Sequence, residues 1–129
     1  MIPPGTVAMV DYCPGFKPPE KSHPIVVFSR FATGNIGYFH VSHSFESAPG
    51  DVTIPIPRSC RTAFINGPLN VGNPGRVLVR DRYDRLLIIA EPLAYDRMRV
   101  GNRFITLSGI VQLPPEEWQP LRDLLKAHM

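Results

Sequence analysis

"PGFKPPEKSHPIVVFSR", residues 14–30, begins as a Pro/Gly/Lys-rich loop and ends as an unbroken apolar run. Pro and Gly punctuate turns, while Val, Ile and Phe crowded together suit a strand. His23 stands at the junction, just before Pro24. A rigid strand starting there would aim this histidine out of the loop, as a reactive group or as a plain turn residue.

The same form recurs along the chain. "TVAMVDY" (6–12), "IGYFHVSH" (36–43), "DVTIPIP" (51–57), "RVLVRD" (76–81), "RLLIIAE" (85–91) and "FITLSGIVQL" (104–113) are short, rich in β-branched or aromatic residues and bounded mostly by turn-forming residues. Together with residues 24–30 they predict a mainly β domain, a small barrel or sandwich of five to seven strands. "RYDR" (82–85) reads as a hairpin connection between the fifth and sixth strands, and "NGPLNVGNPG" (66–75) as an exposed, mobile loop. The C-terminus changes period. In "LPPEEWQPLRDLLKAHM", prolines and acids suit a first helical turn, and Trp118, Leu121, Leu124 and Leu125 repeat at helical spacing. Pro120 predicts that the helix starts or kinks there.

Composition narrows the function classes. The chain has 129 residues, enough for one domain over 1–129, and 43% apolar content with 19% charge excludes a disordered tract. No signal-peptide pattern opens the sequence and no apolar run is long enough to cross a bilayer, so a cytoplasmic protein without membrane contact is expected. Cys13 and Cys60 are then expected as thiols rather than a disulfide. No CxxC or CxxH motif occurs, and His40 and His43, three apart on a strand, point to opposite faces. No metal or other cofactor is expected. Net charge is only +3, yet residues 58–103 hold nine arginines against four acids. Arginine forks suit phosphate. The segment reads either as a nucleic-acid surface, with Arg76, Arg80 and Arg82 as contacts, or as a solvated face of local Arg–Asp pairs.

Four stretches, "PPGTVAMVDY", "PGFKPPEKSHPIVVFS", "VTIPIPRS" and "YDRMRVGNRFITLSGIVQLPPEEWQPLRDLL", match in order and spacing the segments of a known family. They resemble the MazF/PemK toxins of toxin–antitoxin systems, with the related fold of CcdB. The resemblance implies an SH3-like barrel with a C-terminal helix, a homodimer, metal-independent cleavage of single-stranded RNA, and a small antitoxin protein as partner. It also implies RNA contacts from the loop lysines Lys17 and Lys21. The family's usual pair is an arginine before the first proline and a Ser/Thr ending the later strand. Here these align with His23 and Pro57, and proline has no donor or acceptor in its side chain. Arg58 and Ser59, just beyond, are the residues that would join His23 in catalysis: a cation, a hydroxyl and a proton carrier. Two further readings stay open: a degenerate barrel that binds nucleic acid or protein without cleavage, and a CcdB-like topoisomerase inhibitor.

Overall fold

The computed structural model describes residues 2–42, 50–60, 75–81 and 86–129. Eight strands run through them in chain order: β1 (Thr6–Val10), β2 (His23–Arg30), β3 (Ile36–Ser42), β4 (Val52–Pro55), β5 (Arg76–Arg80), β6 (Ile88–Ala94), β7 (Arg97–Val100) and β8 (Arg103–Gln112). One helix follows, α1 (Pro115–Ala127). Pairing is antiparallel in the order β2-β1-β8-β7-β6-β3, and a β2–β3 pairing closes the ring. Six strands thus form a small SH3-like barrel with no free edge among them. β3 outlasts its partner β6: residues 36–38 pair with β6, whereas Val41 and Ser42 pair with β5. β5 and β4 therefore leave the barrel as a two-stranded flap beside its mouth.

β1, β3 and the middle of β2 bury both of their faces, which explains their unbroken apolar runs, whereas β6 and β8 leave one face exposed. On β2 and β3, Ile25, Val27, Ile36 and Tyr38 point into the lumen with Val10, Met98, Ile105 and Leu107. Their alternates Val26, Phe39 and Val41 join Val77, Val79 and the helix residues Trp118, Leu121 and Leu125 in a second core. A strand buried on two sides loses polar alternation and reads as continuous hydrophobicity.

The helix begins at Pro115 with Glu116 and Glu117 in its first turn, and Pro120 lies inside it. Pro120 therefore neither starts the helix nor ends it. It sits one turn in, where the carbonyl that it leaves without an intrahelical partner belongs to exposed Glu116. Docking is close at Gly5, whose φ of +87° excludes most side chains, because a Cβ there would lie 3.0 Å from Cγ of Trp118. Cys13 belongs to the lumen and Cys60 to the second core, both as buried thiols.

Three sequence expectations need correction or placement. β7 was not among the predicted strands. Its sequence, Arg-Met-Arg-Val, buries Met98 and packs Val100 against the lumen core, but four residues with two outward arginines make too short a run to stand out. The expected hairpin of the fifth and sixth strands is not formed among the described residues: β5 and β6 follow one another along the same edge of β3. Residues 82–85, and nearly all of the 66–75 loop, lie outside the described residues. Among the described residues no helix is long and apolar enough to cross a membrane.

Candidate functional site

The chain leaves β1 at Val10 and returns at His23, which pairs with Val10 as the first residue of β2. Between them "CPGF" makes a tight turn. The Phe16 amide donates to the Cys13 carbonyl at 3.1 Å, with Pro14 second and Gly15 third at φ +84°. Proline followed by a positive-φ glycine is the signature of a type II turn. The turn carries Phe16 over the barrel mouth, where its ring meets two imidazoles. Its centroid lies 4.8 Å from that of His23, edge-on, and 4.7 Å from that of His40, tilted.

His40 comes from β3, opposite Ile25, and its side chain enters the lumen at 3% exposure. Neither ring nitrogen has a hydrogen-bond partner among the described residues. Tyr38, two residues earlier on the same face, meets the His40 ring edge-on at 5.5 Å, and its hydroxyl is likewise buried without a partner. Burial, reinforced by nearby His23, pushes the His40 pKa down to about 3. Burial and then the neighbouring charge of Lys21 also lower the pKa of half-buried His23. Both histidines are neutral at pH 7. Burial raises Tyr38 and brings the Cys13 thiol up to about 11. That thiol donates to the Lys21 carbonyl at 3.1 Å, so it is a packed structural group rather than a nucleophile.

The face continues onto the flap. The β2–β3 ladder ends at Ile25 opposite His40, and its register continued by two residues sets His23 level with Ser42. Ser42 pairs in turn with Arg76 of β5, and directly paired residues share a face. His23, Ser42 and Arg76 thus form a row across three adjacent strands. Arg76 is held in place: its Nε donates to Oγ1 of Thr53 at 2.8 Å and an Nη to the Thr53 carbonyl at 3.3 Å. Arg80 ends β5 opposite Val52, beyond a register shift that breaks the alternation, and is exposed. Lys17 and Lys21 are exposed on the loop that carries Phe16.

Arg58 and Ser59 sit elsewhere. They are exposed in a turn in which the Cys60 amide donates to the Pro57 carbonyl at 2.9 Å. Cys60 packs in the second core and its thiol donates to the Glu117 carbonyl of α1 at 3.1 Å. His23 faces the lumen side of β2, so no hydrogen bond, ion pair or ring contact joins it to Arg58 or Ser59. Among the described residues no direct contact brings the expected trio together. Arg82 lies outside the described residues. The other arginines of the 58–103 segment disperse: Arg99 pairs with Glu91 on the outer sheet, and Arg103 lies 4.1 Å above the Tyr12 ring. Of the described ones, Arg76 is the arginine that the strand pairing puts on the face of His23.

The sequence reading missed Phe16, Tyr38, His40 and Ser42 as parts of one site. A signal was present in "YFHVS", where Tyr, His and Ser recur at period two on an otherwise apolar strand. Among the described residues no three side chains of ligand type could hold a metal ion together. No family model, curated protein or solved structure matches the chain.

Proposed function

We propose that the barrel mouth binds single-stranded RNA and cleaves it without a metal, in the manner of the MazF/PemK toxins that the chain resembles. The observation that carries this reading is the row of His23, Ser42 and Arg76 on one face of β2, β3 and β5. Neutral His23 takes the proton of a ribose 2′-hydroxyl, and the freed oxygen attacks the adjacent phosphorus. The bond to the 5′-oxygen breaks, that oxygen takes a proton from solvent, and a 2′,3′-cyclic phosphate remains. Arg76, pinned by Thr53, offsets the charge gathered on the phosphorane. Lys17, Lys21 and Arg80 contribute backbone attraction around the mouth. Dimerisation and capture by a small antitoxin belong to the same reading and rest on the resemblance alone.

Binding without cleavage is the second reading. It is favoured by one feature: the row holds one group that exchanges protons near neutral pH, whereas efficient phosphoryl transfer uses both a base and an acid. The experiment is incubation of the purified chain with a mixed-sequence single-stranded RNA in EDTA, with His23→Ala alongside. Cyclic-phosphate ends from the wild type, lost in His23→Ala, support the nuclease. Binding with intact RNA supports the second reading, and no binding at low salt refutes both.

A further inference from the structure

Tyr38 and His40 hold three buried polar atoms that have no partner among the described residues. Their rings meet edge-on at 5.5 Å, and Tyr38 packs in the same lumen core as Cys13, the residue that starts the turn of Phe16. Each such atom is unfavourable relative to a satisfied one. A phenylalanine and a second apolar residue would fill the same space without that cost. Buried polar groups of this kind call for an explanation beyond packing.

Phe16 supplies one. It belongs to the loop rather than the barrel wall, is only half-buried, and meets His23 edge-on and His40 at a tilt. It satisfies none of the polar atoms, because a phenyl ring has no donor or acceptor. A planar heteroaromatic ring in the same place keeps both ring contacts and adds hydrogen bonds. We propose that the space Phe16 fills is a nucleobase slot, in which one unpaired base displaces the phenyl ring. The base meets the rings of His23 and His40 as Phe16 does and is read at its edge by the Tyr38 hydroxyl and the His40 nitrogens. Ring stacking alone tolerates every base, so the edge contacts supply the choice among them. The proposal deepens the RNA reading and rests on it for the source of the base: Lys17 and Lys21 flank the slot where the phosphates of a strand would run.

The test uses the full chain and two probe sets. Fluorescent octamers of U, A and C, followed by anisotropy, read the preference within RNA. The four ribonucleoside 5′-monophosphates, followed by the NMR signals of the His23 and His40 rings, read the slot without a strand. Wild type should favour one octamer, and the matching monophosphate should shift both imidazoles. Tyr38→Phe should reduce that preference about three- to tenfold, the effect of one neutral hydrogen bond, while leaving the salt dependence intact. Its melting temperature should hold or rise, since an unsatisfied hydroxyl is removed. Phe16→Ala should tighten the monophosphate. Equal affinity for all octamers, an undiminished preference in Tyr38→Phe, or a fall in its melting temperature would overturn the slot. Should no octamer bind, the RNA reading fails on its own; a monophosphate that still shifts both rings then sustains the slot, and none shifting overturns it.

Discussion

Lowering the pH should destabilise this protein through one residue, His40. Its ring is almost wholly buried, and burial holds its pKa at about 3 against 6.5 for an exposed imidazole. Above pH 6.5 both folded and unfolded chains carry it neutral, and it contributes no pH dependence. As the pH falls below 6.5 the unfolded chain takes up a proton that the folded chain refuses, so stability is lost until about pH 3, where the folded form protonates as well. A pKa unit corresponds to roughly 1.4 kcal/mol, so lowering the pH from 7 to 5 should remove about 2 kcal/mol. That is a large share of a typical stability of ~5–15 kcal/mol. The assay is urea unfolding at pH 7, 6 and 5 for wild type and His40→Phe, with the slopes checked for two-state behaviour. The phenyl ring fits the lumen and cannot charge, and His23, shifted in the same direction, is common to both proteins. Wild type should lose about 2 kcal/mol more than His40→Phe over this range. Equal losses would show that His40 meets solvent or a partner that accepts its charge, and the buried-neutral assignment would fall.

Gly5→Ala should cost about 2–4 kcal/mol in the same unfolding assay, since a side chain at φ +87° is strained and its Cβ would meet the Trp118 indole that seats α1. Neutralising Arg76 and Arg80 together as Gln should weaken RNA binding and flatten the salt dependence by up to ~0.7 log units per lost phosphate contact; an unchanged slope would mean that the strand runs elsewhere. His23→Arg restores the cation of the resembled family and removes a group that exchanges protons near neutral pH. If His23 acts as a base, this variant should lose ~10²–10⁴-fold in cleavage rate, and retained activity would show that charge, not proton transfer, is needed there.

The fold was legible because local and global signals agree. Seven apolar runs were visible, and all seven correspond to strands; those of β2 and β3 run unbroken because they lie between the lumen and a second core. β7 escaped because a four-residue strand with two outward arginines offers too short an apolar alternation, Met98 and Val100, to be noticed. The split edge of β3 escaped for another reason: nothing in a sequence says that one strand will give half its edge to β6 and half to β5. The expected hairpin failed on that point, and the flap that carries Arg76 is its consequence.

The site was legible in part, and the division follows the pleat. His23 was conspicuous at a loop–strand junction, but the companions assigned to it came from position along a motif. Strand geometry assigns companions by parity and register instead. Parity puts His23 with Ile25 and Val27 on the lumen face, register then brings His40 and Ser42 beside it, and the β3–β5 pairing adds Arg76. Cys60 is bound to the helix side, taking Arg58 and Ser59 with it. A shift of one residue in either strand would exchange these sets. The groups that can act together at the mouth are therefore fixed by the same alternation that builds the two cores, and a polar residue inside an apolar run is where such a site is to be sought.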